Sequence, residues 1–284
     1  MEASCAARVG GATLRVEGSM TEKAAHWILK GSAHDAELLR LHALEEVFDE
    51  HTCRLLREKI GVQVGWRCLE LGAGAGSIAR WLAERIGSSG SVVAADINCR
   101  FLTDVPPNVE VRELDAAVAD FGTEEFDLVH HRSVLAFVSG RDEALARLVT
   151  SLRPGGWLLS EEALNNEYVV AGDSDDKLLA RFFDGLRAIL DAAGTDRLFA
   201  ARLRFALKDL SLADVGHEGS VRIAQGGDQR SDIYWPAVDG LRSQLRTVGR
   251  FADDEIDRLR ELLRDSNSRW VSATLMSAWG RRPG

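Results

Sequence analysis

A glycine-rich turn between a predicted strand and a predicted helix constrains this chain more than any other feature. Residues 68–77 read Cys-Leu-Glu-Leu-Gly-Ala-Gly-Ala-Gly-Ser. The apolar run Trp66–Leu71 predicts a buried strand, and Ser77–Ile86 predicts a helix. Because glycine has no Cβ and tolerates positive φ, such a turn lets a ligand approach the backbone and the free N–H groups of the helix start. The segment therefore predicts a nucleotide-like ligand at the end of a strand.

The spacing of the glycines separates two classes of ligand. Dinucleotide-binding proteins use G-x-G-x-x-G, in which the third glycine allows the helix and the strand to pack closely. Here Gly72, Gly74 and Gly76 form G-x-G-x-G, and Ser77 stands where the third glycine of that fingerprint would be. No P-loop lysine follows the turn, which disfavours a nucleoside triphosphate. An NAD(P)-dependent oxidoreductase is therefore the weaker alternative.

Carboxylates accompany the next two predicted strands. Asp96 lies near the end of Ser91–Ile97, 24 residues after Gly72, and Asp115 follows the predicted strand Val109–Leu114. A carboxylate at the end of the second strand of such a sheet accepts hydrogen bonds from both hydroxyls of a ribose. Asp115, after the third strand, is expected to accept a hydrogen bond from the exocyclic amine of an adenine. The two acids therefore predict an adenosine-containing ligand.

In these features the chain resembles the class I S-adenosylmethionine-dependent methyltransferases. The resemblance spans about residues 27–164 and is carried by Glu70–Gly76, Asp96, Asp115, Phe126–Val129 and Leu152–Gly156. The chain end, 278–282, is similar to the last strand of small-molecule methyltransferases from actinobacterial natural-product pathways. The resemblance implies S-adenosylmethionine (SAM) as cofactor. It also implies methyl transfer to a small aromatic or largely apolar metabolite of secondary metabolism, at an O, N or nucleophilic C atom such as that of a phenol or indole.

The same resemblance implies an α/β fold. We expect a doubly wound, seven-stranded, mostly parallel sheet with an antiparallel last strand, N-terminal helices and an inserted helical lid. The predicted parts are a flexible N-terminal arm, an N-terminal helical cap, a SAM-binding Rossmann-like core, and a lid with the final strands. They cover 1–20, 21–62, 63–164 and 165–284 respectively.

Several elements outside the core follow from hydrophobic periodicity. The predicted helices are 35–48, 52–60, 174–193, 197–210, 232–248 and 253–264, and the predicted strands are 215–224 and 271–280. The fourth and fifth core strands are predicted to end at His130 and Ser160. Aromatic residues are frequent in the lid, where they form either its core or an apolar acceptor pocket. These are Tyr168, Phe182, Phe183, Phe199, Phe205, Tyr234 and Trp235.

The family resemblance assigns the cofactor contacts to positions of this chain. They are Trp27, Arg40, Glu70, Gly72, Ala73, Gly74, Gly76, Ser77, Asp96, Ile97, Asp115, Ala116 and His130. Trp27 stands where the family usually has a tyrosine, so stacking or the indole N–H replaces a hydroxyl contact. The guanidinium group of Arg40 is expected to pair with the carboxylate of the cofactor through two parallel hydrogen bonds. The alternative is that Arg40 lies on the surface of a helix.

The catalytic residue is the hardest to predict, because methyl transfer from a sulfonium is a displacement that depends mainly on alignment. A general base helps where the acceptor must lose a proton. The candidate bases are His131, His26 and Glu161. Since ligands bind at the carboxyl ends of parallel strands, one of His130 and His131 is expected to face the cofactor. The alternative is that these side chains only hydrogen-bond the backbone or the ligand. No spaced set of Asp and Asn predicts a metal site.

Charge and composition restrict the partners. The formal net charge is −9 and the arginines are scattered singly, which disfavours nucleic acid and anionic membranes. We therefore expect a small-molecule substrate, and a homodimer is left open. The four cysteines lack metal spacing, and neither a signal peptide nor a membrane-spanning run is evident, which predicts a reduced, cytoplasmic protein. A SAM-binding protein that assists a cyclisation or a protein complex without methyl transfer is the alternative function.

Overall fold

The computed structural model describes residues 34–170, 174–228 and 233–284. The helices α1 to α8 are His34–Leu55, Ser77–Ile86, Arg141–Ser151, Ser174–Ala192, Phe199–Asp209, Trp235–Gly240, Arg242–Thr247 and Asp253–Leu262. The strands β1 to β10 are Arg67–Leu71, Ser91–Asp96, Val109–Glu113, Phe126–Arg132, Leu152–Leu164, Tyr168–Val169, Ala213–Ser220, Ile223–Gln225, Arg269–Val271 and Thr274–Arg281. The predicted arm 1–20, His26 and Trp27 lie outside the described residues.

Seven strands form the main sheet, in the order β3-β2-β1-β4-β5-β10-β7. The pairs from β3 to β5 are parallel, whereas β10 is antiparallel to both of its neighbours. This confirms the predicted α/β fold with an antiparallel last strand. The strand order reverses between β1 and β4, and a crevice for ligands opens beyond the strand ends at such a switch point.

Helices cover both faces of this sheet because each carries one apolar stripe. On one face, α2 buries Ile78, Leu82 and Ile86, spaced four residues apart, in the same cluster as the end of α1. On the other face, α3 and α5 bury residues such as Leu148 and Leu203 in a second cluster. The strands between them are buried on both sides, as a parallel sheet requires.

The N-terminal cap is one helix where the sequence predicted two. α1 runs without a break through 49–51 and continues into a π-helical turn, Leu56–Ile60, that ends at Gly61. Residues 49–51 contain neither glycine nor proline, so nothing in the backbone interrupts the helix. Asp49 pairs with Arg132 of β4, which ties this stretch of α1 to the sheet.

Two core strands are longer than predicted, and this changes where their side chains lie. β4 continues past His130 to Arg132, and β5 continues past Ser160 to Leu164. The extension of β5 is held by β10, which pairs with it out to Thr274 opposite Leu164. Residues at the predicted strand ends are therefore inside the sheet.

Each of the two predicted strands in the second half of the chain is broken in two. Residues 215–224 separate into β7 and β8, and 271–280 into parts of β9 and β10. Both strands are interrupted at one place, where the Ser272 N–H donates to the Arg222 carbonyl at 2.9 Å and the Arg222 N–H donates to Ser272 Oγ at 3.2 Å. Beyond this interruption, β6, β9 and β8 form a separate three-stranded antiparallel sheet.

This second sheet and the helices α4, α6, α7 and α8 share a hydrophobic core of their own, which we call the lid core. Phe182, Phe183 and Tyr234 belong to it, around the fully buried Trp270. The predicted helix 232–248 is divided at Leu241 into α6 and α7. In the described ranges, no helix is long and apolar enough to cross a membrane.

Candidate active site

A cavity of about 520 Å³ lies at the carboxyl ends of the central strands, between the main sheet, α1 and the lid. The glycine turn after β1 and the ends of β2 and β3 form one wall. One face of α1 forms a second wall, and the second sheet with the start of α6 forms a third. This volume is in the range of small-molecule and cofactor sites.

The glycine turn has the conformation that its sequence requires. Gly72, Gly74 and Gly76 all have positive φ, of 74°, 56° and 91°. The Gly72 N–H donates to the Ala95 carbonyl at 2.7 Å, which ties the turn to β2. A Cβ at Gly72 would overlap the side chain of Val134. The turn therefore depends on glycine for both its conformation and its close packing, and it leaves bare backbone at the cavity wall.

Asp96 and Asp115 line the cavity from neighbouring strand ends, as predicted. The Asp96 carboxylate accepts the Gly74 N–H at 2.9 Å and the Asn98 N–H at 3.0 Å, and its burial raises its pKa. Asp115 accepts the Ala117 N–H at 2.9 Å. Each carboxylate oxygen can accept more than one hydrogen bond, so both groups retain acceptor capacity towards the cavity.

Ten of the residues predicted to bind the cofactor line this one cavity. They are Arg40, Glu70, Gly72, Ala73, Gly74, Ser77, Asp96, Ile97, Asp115 and Ala116. Gly76 and His130 do not line it. Arg40 is buried, but its fork is already engaged by the Glu37 carboxylate, at 2.9 Å from Nε and 2.7 Å from Nη2. Its pairing with a cofactor carboxylate remains a prediction.

His130 is fully buried between two carboxylates. Its Nδ1 lies 2.6 Å from Glu70 and its Nε2 lies 3.1 Å from Glu161. Burial lowers the pKa of the imidazole, but the charges of Glu70 and Glu161 and their hydrogen bonds outweigh burial and raise it to about 9. His130 is therefore an imidazolium at neutral pH, and it fixes the carboxylate of Glu70 at the cavity wall.

Glu161 connects this pair to α1 and β10. Its carboxylate accepts hydrogen bonds from Thr52 at 2.6 Å and Ser277 at 2.5 Å. Burial raises the pKa of Glu161, but the hydrogen bonds and charges, above all those of His130 and Arg132, lower it to about 2. In the described part of the chain, no group of three His, Cys, Asp or Glu residues is arranged as a metal site.

The predicted bases His131 and Glu161 do not reach the cavity. His131 is fully buried, with Nε2 2.7 Å from Ser160 Oγ and Nδ1 3.3 Å from the Glu162 carboxylate. Neither histidine of the His130–His131 pair lines the cavity, because both lie within strands that extend to Arg132 and Leu164, and both are fully buried. Whether any of these residues acts in a reaction stays a prediction.

Other cavity residues were not predicted. Glu37 and Glu45 line it from α1, and Glu45 also accepts the Ser77 N–H at 3.3 Å. Asn165 and Glu167 line it from the segment after β5. The acids of α1 could have been found from spacing, since 37, 41, 44, 45 and 48 fall on one helical face. The residues after β5 could be placed only once the true end of β5 was known.

Comparison with known proteins finds similarity in the part of the chain that forms the sheet wall of this cavity. A family described as "Methyltransferase domain" matches residues 69–160, from β1 into β5. A ubiquinone/menaquinone biosynthesis C-methyltransferase of Pseudomonas paraeruginosa is 35% identical over 115 residues, covering 37% of this chain and 45% of that protein. The enzyme of the same name from Pseudomonas putida is 31% identical over 140 residues, covering 46% and 52%. The chain thus spans about half the length of these relatives.

Solved structures agree on the fold at low sequence identity. A phosphoethanolamine N-methyltransferase from Haemonchus contortus superposes with a TM-score of 0.52 at 17% identity, over 86% of this chain and 57% of that protein. The YcgJ protein from Bacillus subtilis superposes with a TM-score of 0.54 at 16% identity, over 83% of this chain and 99% of that protein. Both support the same α/β architecture.

Proposed function

We propose that this chain is a SAM-dependent methyltransferase that acts on a small metabolite. The observation that carries the proposal is the convergence of the glycine turn, Asp96 and Asp115 on one cavity at the switch point of the sheet. The match of residues 69–160 to a methyltransferase domain supports the same reaction class. The relatives are named C-methyltransferases, which supports carbon as the acceptor atom, and oxygen and nitrogen remain alternatives.

The residues present fit SAM. Gly72 and Gly74 line the cavity without side chains, so a ligand can approach the backbone of the turn. Asp96 would hold the ribose hydroxyls and Asp115 the adenine amine. Glu70, fixed by His130 at 2.6 Å, would hold the amino group at the methionine end. When bound, SAM supplies an activated methyl group.

The remaining walls suit a small acceptor. The lid contributes the apolar side chains of Ile223, Ala224 and Ile233 to the cavity wall. These side chains would hold an acceptor by shape and apolar contact, and the cavity would align it with the methyl group. A cytoplasmic location, a role in secondary metabolism and an aromatic acceptor remain parts of this proposal.

Calorimetry tests the cofactor assignment directly. We expect S-adenosylhomocysteine (SAH) to bind the wild type, and NADH not to bind. Asp96→Ala removes charge-assisted hydrogen bonds, each contributing about 1.5–3 kcal/mol, so the affinity for SAH should fall at least about tenfold. Asp209→Ala, an exposed aspartate at the end of α5, is the control and should bind like the wild type. Unchanged binding by Asp96→Ala, or NADH binding in place of SAH, would contradict the proposal.

Mass spectrometry distinguishes methyl transfer from SAM binding without transfer. A product heavier than its acceptor by one methyl group, formed together with SAH, is the expected result. A product isomeric with its precursor, and no SAH formed, would instead identify a protein that binds SAM while assisting a cyclisation.

A further inference from the structure

The lid contributes a group of polar residues to the cavity, which we call the polar pole. Asn165, Glu167, Tyr234, Ser272 and Arg222 supply its polar atoms, beside the apolar side chains of the second sheet. None of the sequence motifs of the cofactor site includes these residues. They belong to the segment after β5, to the interruption between the two sheets and to the start of α6.

Glu167 is the most unusual group of this pole. Its carboxylate is almost fully buried, and among the described residues it forms a long ion pair with Arg187, whose Nη1 lies 3.7 Å away. Arg187 makes its closer contact with Asp184, at 2.5 Å. Burial raises the pKa of Glu167, outweighing the hydrogen bonds that it accepts. A buried carboxylate is costly unless it is well paired, so a ligand that donates a hydrogen bond to it would gain binding energy.

Tyr234 orients that carboxylate. Its hydroxyl donates to Glu167 at 3.2 Å, and its ring is held edge-on against Phe183 at 5.4 Å and Trp270 at 5.8 Å between centroids. Burial raises the pKa of Tyr234, so the phenol stays neutral and keeps its donor proton. The direction of the Glu167 carboxylate is therefore set by the lid core and does not depend on a ligand.

The charges around the cavity select against anionic ligands. Among the described residues, seven acids and four arginines line it: Glu37, Glu45, Glu70, Asp96, Glu113, Asp115 and Glu167, and Arg40, Arg100, Arg132 and Arg222. Three of the arginines are engaged by the carboxylates of Glu37, Asp49 and Glu50. An acceptor that carried a carboxylate or phosphate into this cavity would meet a net negative field.

We propose that Glu167, oriented by Tyr234, is the acceptor-recognition residue, and that it accepts a hydrogen bond from a hydroxyl group of an uncharged aromatic acceptor. This inference rests on the proposed function. A hydroxyl can donate to this carboxylate without bringing a further charge into a cavity that Ala224 and Ile233 also line. The aromatic ring would lie against those apolar side chains, with its hydroxyl towards Glu167.

Binding of matched ring compounds to the SAH complex tests the proposal. The probes are naphthol, methoxynaphthalene, naphthoate and naphthylmethylamine, substituted at the same ring position and titrated by ligand-observed NMR at saturating SAH. We expect naphthol to bind at least about tenfold more tightly than the other three. Glu167→Gln should reduce the preference for naphthol over methoxynaphthalene to near unity, while the affinity for SAH is unchanged. Tyr234→Phe should reduce the same preference less.

The controls distinguish a failure of the proposed function from a failure of the Glu167 assignment. Glu143→Gln changes an exposed glutamate of α3 outside the cavity and should keep the preference of the wild type. Failure of SAH itself to bind would overturn the proposed function. With SAH bound, no binding of naphthol, tighter binding of naphthoate or naphthylmethylamine, or an unchanged preference in Glu167→Gln would overturn the assignment of Glu167 alone. The preference within the wild type keeps the proposal falsifiable if Glu167→Gln does not fold.

Discussion

The buried cluster around His130 predicts a loss of stability in mildly alkaline solution. The folded protein raises the pKa of this imidazole from 6.5 to about 9, because Glu70 and Glu161 together outweigh the effect of burial. A group whose pKa is raised by folding stabilises the folded state fully below its unfolded pKa. That contribution is lost as the pH rises through the folded pKa. The free energy of unfolding should therefore fall between neutral pH and about pH 9.

The magnitude follows from the pKa shift. A shift from 6.5 to about 9 corresponds to about 3 kcal/mol at full effect, of which about 2 kcal/mol is lost between about pH 7 and 8.5. This window limits the contribution of other groups. His51, whose pKa is lowered by burial, titrates below it. Burial raises the pKa of the thiols of Cys53, Cys68 and Cys99, and these thiols lower the stability mainly above about pH 9, where the thiols of the unfolded chain are ionised.

Urea denaturation at several pH values measures this effect. We expect the free energy of unfolding of the wild type to fall by about 2 kcal/mol across the window, and that of His130→Gln to change little. The variant should also be less stable at pH 7 by about 3–5 kcal/mol, since it leaves two buried carboxylates without their cation. His217→Gln, an exposed histidine of β7, is the control. Equal pH dependence in the wild type and His130→Gln would refute the reasoning.

Two further predictions concern the walls of the cavity. Gly72→Ala should lower the free energy of unfolding by about 2–4 kcal/mol in urea denaturation, because the residue has a positive φ and its Cβ would overlap Val134. A loss below about 0.5 kcal/mol would contradict this packing. Trp270→Ala should cost about 3–5 kcal/mol, because the fully buried indole packs against Phe183 and Tyr234, whereas the exposed Ile223→Ala should cost little. The affinity for SAH, measured by calorimetry, should be unchanged in Trp270→Ala if the lid core is separate from the part of the cavity that holds the cofactor.

The sheet and the cofactor half of the cavity could be predicted because their signals are local. Turn chemistry and strand alternation predict the positions of Gly72, Gly74 and Asp96 from nearby residues alone. The structure places all three at one cavity wall. The apolar stripe of α2 likewise specifies a helix from residues close in sequence. Such features need no knowledge of distant pairing.

The candidate bases could not be placed in this way, because strand ends depend on pairing with distant residues. The sequence predicts that β5 ends at Ser160, but β10 extends it to Leu164. That difference encloses His131 and Glu161 and moves the cavity edge to Asn165 and beyond. The interruption of the two predicted strands at Arg222 and Ser272 is equally non-local, since hydrogen bonds join these two residues, which are far apart in the sequence.

The length of β5 sets the distance between the two ends of the cavity. Glu167 lies three residues beyond the end of β5, on the same chain that pairs with β4 beside the glycine turn. The distance between the two halves of the cavity therefore depends on the number of residues in this part of the chain, each about 3.3 Å long when extended. Lengthening the link between Leu164 and Glu167 by one residue would shift the two halves by more than two carbon–carbon bonds. Natural diversification of such a scaffold is thus expected to exchange side chains along this link and to conserve its length.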